Sequence, residues 1–485
     1  MKILFVASEA HPLIKTGGLG DVCGSLPAAL AAQGADARLL LPGYRDARAA
    51  AGPLTPIAQI ALPRLAKPAT LLEGTLPGTR VTTWLVDFPP AYDRPGNPYL
   101  SAHGHPWHDN AARFALLARV AVAIARRAAG LAWRPDVVHC HDWQTGLVPA
   151  LLAQEPARPA TVFTIHNLAY QGLFPRETLT ALGLSESFWS PEGLEYYGRL
   201  SFIKGGLVYA DRLTTVSPSY AREILTPEFG EGLDGLLRHR ARDLTGILNG
   251  IDERAWDPAR DPHLAARYSA HRFAAKQRNK VALQRQLGLP MSGVPLIGMV
   301  GRLVQQKGID LVLEALPQLM ELPLQLAVLG SGEAGYEDAL RRAAEQYPQK
   351  LAVTIGYDEP LAHRVEAGSD MFLMPSRFEP CGLNQLYSLR YGTVPIVRPV
   401  GGLADTVVDA TPETLAAGTA TGVVFAEATP AALLGALRRA LALHADRRRW
   451  KRLAVTGMRR DFSWRHSAGD YLELYGRLTR ARRTR

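Results

Sequence analysis

Two cations five residues apart, Arg302 and Lys307, stand in the glycine-bounded loop Gly301–Gly308. Such a pair can clamp a diphosphate, because Arg offers a directional fork and Lys a point charge. Where a phosphate is the leaving group, the clamp would stabilise the departing charge. An isolated pair can equally be solvated. Glu379 lies in Pro375–Tyr387, just before a helix start where Gly382 and Leu383 can present backbone N–H groups. A carboxylate there can hold sugar hydroxyls, stabilise positive charge at an anomeric carbon, or simply cap the helix. Lys15–Val22 brings Lys15, three glycines and a helix start together, which suits an anion. Gly401–Thr406 repeats that pattern. Val138–Trp143 supplies His139, His141 and Asp142, and Thr164–Tyr170 supplies His166 and Asn167. The histidines and Asp142 lack a third well-spaced ligand, so no metal is expected.

Elements at the right places could converge these groups. Runs of Val, Ile and Leu predict strands at Ile3–Ser8, Ala37–Pro42, Val81–Asp87, Val137–Cys140, Thr161–Ile165 and Arg212–Val216. A second series follows at Pro295–Val300, Leu324–Leu329, Leu351–Ile355, Met371–Met374, Val394–Val397 and Gly422–Phe425. Apolar runs without alternation suit parallel strands covered on both faces, and strands alternating with helices imply doubly wound sheets. The expected fold is α/β, with two Rossmann-like domains facing a cleft. Their expected limits are residues 1–246 and 247–455. Residues 456–485 are expected to form a helix that returns to the first domain. The motifs all follow predicted strands, and open α/β sheets bind ligands beyond the carboxyl ends of their strands.

Composition removes several alternatives. The formal charge of +10 comes largely from scattered Arg. Its tightest cluster, Arg477, Arg480, Arg482, Arg483 and Arg485, reads as a solvated helix end, and no nucleic-acid motif accompanies it. Cys23, Cys140 and Cys381 are far apart and odd in number, which argues against a disulfide framework and for a reducing compartment. The apolar run at the N-terminus is too short for a signal peptide, and Arg119, Arg126 and Arg127 interrupt the stretch 114–130 as a membrane span. A cytoplasmic protein without membrane or nucleic-acid partners is the expectation. The GxGxxG spacing of nicotinamide enzymes and the P-loop consensus are both missing.

Taken together, Lys15–Val22, 93–99 (DRPGNPY), 139–146 (HCHDWQTG), 163–172 (FTIHNLAYQG), 248–252 (LNGID), Gly301–Gly308, Pro375–Tyr387 and 401–407 (GGLADTV) resemble bacterial glycogen synthases and plant starch synthases, in order and across nearly the whole chain. The pattern is closest to the branch using ADP-glucose. The resemblance implies the GT-B fold, no cofactor, and transfer of glucose to the non-reducing end of an α-1,4-glucan with retention. It implies that Lys15 and Gly18 meet the donor diphosphate and glucose, and that Arg302 and Lys307 hold the phosphates. Glu379 would sit at the glucose, with Gly382, Leu383, Gly401, Gly402 and Leu403 lining the pocket. Asp142 and His166 fall at sugar-side catalytic positions. Tyr99 and Asn249 match substrate-binding positions. Asn384 and Val400 stand where many members carry Thr, and Tyr387 stands where related families carry a second Glu. A UDP-glucose-dependent enzyme with another acceptor, a non-catalytic glucan-binding relative, a nicotinamide dehydrogenase and a phosphorylase are the competing readings.

Overall fold

The computed structural model describes residues 1–101 and 104–483, except for the side chain of Arg483. The chain forms two compact units, Met1–Gly250 with Trp464–Arg485, and Ile251–Ser463.

The first unit is built on strands β1 (Lys2–Val6), β2 (Asp36–Pro42), β3 (Thr55–Ile60), β4 (Ala69–Thr75), β5 (Thr82–Asp87), β6 (Val137–His141) and β7 (Ala160–Ile165). Three short strands follow, β8 (Leu173–Phe174), β9 (Glu195–Tyr196) and β10 (Arg199–Ser201), then β11 (Arg212–Thr215) and β12 (Leu244–Gly246). Nine of them form one sheet in the order β12-β11-β7-β6-β1-β2-β5-β4-β3. From β12 to β5 every pairing is parallel; β4 and β3 add an antiparallel edge. β8, β10 and β9 make a separate antiparallel ribbon. The sequence predicts neither the edge pair nor the ribbon. β3 is largely exposed or half-buried, so it lacks the apolar run of a central strand.

The second unit holds β13 (Leu296–Val300), β14 (Gln325–Gly330), β15 (Leu351–Ile355), β16 (Met371–Met374), β17 (Val394–Val397) and β18 (Val423–Val424). They form an all-parallel sheet in the order β15-β14-β13-β16-β17-β18. Alternate strand residues serve opposite faces. Ile297, Leu326, Val328, Met371, Leu373 and Ile396 enter one core, while Leu296, Ala327, Leu329, Phe372, Met374 and Val397 enter the other. Helix Ile309–Glu321 covers the first face through Ile309, Val312, Leu316 and Leu319, a stripe at helical spacing.

In each sheet the chain starts in the middle and turns outward twice. The switch points lie between β1 and β6 and between β13 and β16, where loops after neighbouring strands splay apart and leave room for a ligand. The loops after these four strands carry Lys15, Asp142, Arg302 with Lys307, and Glu379.

The observed boundaries differ from those expected at 246/247 and 455/456. The Ile247 amide still donates to Thr215 at 2.8 Å, so the chain stays in the first sheet, whereas Ile251 donates to Phe462 at 2.9 Å in the second unit. Helix Arg447–Met458 buries Trp450, Leu453 and Ala454 in the second core, which delays the return to Trp464. Helix Trp464–Arg483 then packs in the first unit. Its Arg477 pairs with Glu473, and its Arg482 bonds Asp211 at 3.0 Å and the Pro159 carbonyl at 2.9 Å, so this end is anchored rather than merely solvated. Arg485 lies outside the described residues. No helix among them is long and apolar enough to cross a membrane.

The returning helix also reaches the sheet interior. The Tyr475 hydroxyl lies 2.7 Å from Nδ1 of His139, a fully buried residue whose Nε2 bonds Thr164 at 2.6 Å. Tyr475→Phe leaves a buried ring nitrogen unpaired, and the expected loss is about 1–3 kcal/mol. Urea unfolding checks this; an unchanged midpoint would remove the anchoring role of the hydroxyl.

Candidate active site

In the second unit the loops after β13 and β16 lock together through the backbone. The Arg377 amide donates to Gln306 at 2.8 Å, Gln306 Nε2 reaches the Phe378 carbonyl at 3.3 Å, and Asn384 Nδ2 donates to the Val300 carbonyl at 2.6 Å. This locking brings Lys307 Nζ to 2.5 Å from Glu379 Oε2, which also accepts from Ser376 Oγ at 3.0 Å. Glu379 is 5% exposed. Arg302, on the same loop, is exposed and reaches Gln306 at 3.0 Å. Asn384 thus has a structural task of its own, joining its helix to the cation loop.

The turn after β17 crosses directly over Glu379. A Cβ on Gly401 would lie 2.0 Å from the Glu379 carbonyl oxygen, and one on Gly402 2.0 Å from that of Cys381. Only glycine permits this approach. The Gly402 amide donates to the Glu379 and Pro380 carbonyls, both at 3.1 Å, and Leu403 donates to Val400 at 3.0 Å. Two N–H groups expected to cradle an anion are therefore bonded inside the protein, and the turn acts as a brace for Glu379. Gly382, at φ 72°, and Leu383 lead into helix Asn384–Tyr391 beside it, where first-turn N–H groups have no intrahelical acceptor. Val400 is 6% exposed and joins the apolar core, which suits it better than a hydroxyl. Tyr387 is buried and stacks at 3.7 Å on Trp256, so that position packs instead of presenting a second carboxylate.

In the first unit, the helix opened by the Lys15–Val22 loop spans Gly18–Ala32. Lys15 Nζ lies 2.8 Å from Asp21 in its first turn, so its charge is partnered within the protein. Next to it is a group that the sequence reading passes over. Glu9 accepts from the Thr16 hydroxyl at 2.8 Å, from the Thr16 amide and from the Tyr99 hydroxyl, and the latter also lies 2.8 Å from Ser8 Oγ. Burial pushes the Glu9 carboxyl up, against these bonds. Its place just after the first strand was the available signal.

Asp142 and His166 come together at the ends of β6 and β7. Asp142 Oδ1 accepts from the His166 amide at 2.7 Å. Its backbone sits at φ 56°, ψ −178°, a region that costs a non-glycine residue about 1–3 kcal/mol. Burial raises its carboxyl to about 7, with Glu9 adding to the rise, while bonds from the His166 and Asn167 amides oppose it. Burial lowers the His166 imidazole to about 3, so it is neutral at physiological pH. His166 Nε2 bonds His141 Nδ1 at 2.9 Å. His139 and His141 are themselves fully buried; His141 braces the ring of His166, and the His139 ring lies behind that of His141, centroids 4.1 Å apart. Asn249 follows β12, 7% exposed, with a buried Oδ1 that has no partner among the described residues. No cluster of three metal-ligating side chains occurs among those residues.

These features match known proteins. A family model for the starch synthase catalytic domain covers residues 2–239, and one for glycosyl transferases group 1 covers 283–455. Glycogen synthase 1 of Methylococcus capsulatus is 61% identical over 98% of this chain and 96% of its own. The glycogen synthase of Thioalkalivibrio sulfidiphilus is 59% identical over 98% of this chain and 99% of its own. The catalytic domain of Arabidopsis thaliana starch synthase IV, solved bound to ADP and acarbose, superposes with a TM-score of 0.89 at 33% identity, covering 98% and 99% of the two chains. The likeness runs through both α/β units and nearly the whole chain, and this chain is a member of the glycogen and starch synthase family of GT-B glycosyltransferases.

Proposed function

We propose that this enzyme transfers glucose from ADP-glucose to the non-reducing end of an α-1,4-glucan with retention of configuration, releasing ADP in the cytoplasm. The observation that carries the reading is the Lys307–Glu379 pair at the switch point of the second sheet. It supplies a cation for phosphate and a carboxylate for sugar within one hydrogen bond of each other. A relative solved with ADP and acarbose supports the same ligand classes.

The chemistry follows from the groups. A double displacement needs a carboxylate free to attack the anomeric carbon. Glu379 is paired with Lys307 and bonded by Ser376, which holds its carboxylate beside the proposed phosphate-binding cation rather than free to attack. Front-face attack fits better. The bond from C1 to the phosphate oxygen breaks with its electron pair leaving on ADP, the acceptor 4-hydroxyl oxygen bonds C1, and its proton passes to the departing phosphate. Lys307 and Arg302 stabilise that phosphate, with Lys15 and the amides near Gly18, Gly382 and Leu383 orienting the donor. Neutral His166 hydrogen-bonds the glucose. Asp142, once ionised, stabilises the oxocarbenium-like transition state, and Tyr99 and Asn249 complete the sugar contacts.

Incubation with ADP-glucose or UDP-glucose plus glycogen, following nucleotide release and polymer growth, tests the whole reading. Glucan-dependent ADP release is expected; activity with UDP-glucose alone would overturn the donor, and inactivity with both would overturn the function. Lys307→Ala should lower kcat by roughly 10²–10³-fold, the scale of losing one charge-stabilising donor, and should also lower the melting temperature, because the buried Glu379 loses its cation; turnover is therefore compared well below the variant's melting point. Unchanged turnover would remove the phosphate role of Lys307.

Asp142 gives two pH signatures. With its carboxyl near 7 when folded and 3.8 as the reference value, the folded state holds an extra proton between those limits. Stability should therefore fall as pH rises from 4 to 7, and Asp142→Asn should flatten that decline in thermal melts. Turnover of the native enzyme should rise through pH 7 as the carboxylate forms, whereas Asp142→Asn should be slow at every pH. A native profile without that rise would exclude the ionised carboxylate as the acting form.

A further inference from the structure

β9 and β10 are joined by Tyr197 and Gly198, at φ 46° and 75°. Two positive values at the centre of a two-residue hairpin define a type I′ turn, which favours Asn, Asp or Gly at its first position. A bulky residue in left-handed backbone is an outlier that costs conformational energy. Packing offsets little of it, because Tyr197 is 82% exposed. Its ring meets Tyr196 edge-on at 4.8 Å. Tyr196 is fixed in turn, since its hydroxyl donates to the Glu231 carbonyl at 2.7 Å. Gln171 Nε2 donates to the same carbonyl at 2.8 Å, and Gln171 lies in the segment running on from His166. Tyr170, next to it, is 48% exposed, and Glu231 presents an exposed side chain from a backbone at φ 49°. Two held aromatic rings and a carboxylate therefore stand next to the segment that carries His166.

We propose that Tyr197 and Tyr196 form a holding subsite for α-glucan chains outside the reacting centre, with Glu231 accepting sugar hydroxyls. This inference rests on the glucan-synthase reading. A polymeric acceptor extends well beyond the unit that reacts, and the C–H faces of glucose units stack on the flat apolar face of tyrosine while the hydroxyls face carboxylate and water. The continuity of this surface with the His166 segment favours glucan over an unrelated partner.

Tyr197→Ala and Tyr197→Asn in the full chain test it, by migration in native gels containing glycogen and by steady-state kinetics with glycogen and with maltotriose. Both variants should migrate faster than the native protein in glycogen gels, and KM for glycogen should rise roughly 3–10-fold, as expected for losing one stacking contact. The KM for maltotriose, the KM for ADP-glucose and kcat should stay unchanged. Asn suits the left-handed backbone, so Tyr197→Asn should melt no lower than the native chain, which separates glucan holding from a structural role. Native migration and KM in both variants would overturn the subsite. So would a native dimer that dissociates on Tyr197→Ala while glycogen retention persists, since the hairpin would then serve self-association. A native chain that does not turn over ADP-glucose would sink the function, yet the gel comparison would still decide the subsite.

Discussion

The ion pair between Lys307 and Glu379 is the interaction on which the second unit is organised. A nearly buried carboxylate is tolerable only when paired and hydrogen-bonded. Three loops at the carboxyl ends of the strands contribute to meeting that condition. The loop after β13 brings the lysine, the loop after β16 brings Ser376 and the carboxylate itself, and the turn after β17 presses Gly401 and Gly402 against the backbone that carries it. A pair held this way is also poised for use. A phosphate arriving at Lys307 competes with Glu379 for the same ammonium, so donor binding would loosen the carboxylate as the sugar reaches it.

The first unit solves the same problem by different means. Asp142 has backbone amides as its partners, and dipoles compensate a buried charge less fully than a cation does. That is why its carboxyl sits near neutrality. His166 is shielded from charging by depth alone, and it is braced by His141 behind it. The two units thus differ in their electrostatics. The second offers a permanent cation, suited under the proposed function to a phosphate, and the first a weakly compensated acid, suited to positive charge on a sugar.

Much of this was legible in the sequence because central parallel strands, buried on both faces, leave uninterrupted apolar runs, and the functional segments follow those runs. β3 and β4 escaped because an edge pair is half solvated, and β8 to β10 because two or three residues carry no periodicity. Within the site, residue type and position were readable but availability was not. Lys15 reads as a cation whether or not Asp21 neutralises it. Gly402 reads as an anion cradle although its N–H is already bonded to Glu379 and Pro380. His141 and His166 stand at neighbouring strand ends, and only depth separates them. Glu9 was missed for the opposite reason, since a charge at the end of a strand looks like punctuation until its partners are known.

Backbone strain gathers around the His166 segment. Five non-glycine residues among those described have positive φ, and three of them, Asp142, Tyr197 and Glu231, are linked to the His166 segment. Asp142 bonds the amide of His166 itself, while Tyr197 and Glu231 meet the segment through Tyr196 and Gln171. Each such backbone costs on the order of 1–3 kcal/mol and persists only when its surroundings over-determine it. Around Asp142 those surroundings are rigid, because β6 and β7 are buried along their whole length. A strained residue on a stiff sheet cannot relax away from its partner, so the Asp142 carboxyl stays fixed against the His166 amide. The strain at the hairpin has no such sheet beneath it, and a ring exposed at its tip is explained more economically by what it holds than by what it packs against.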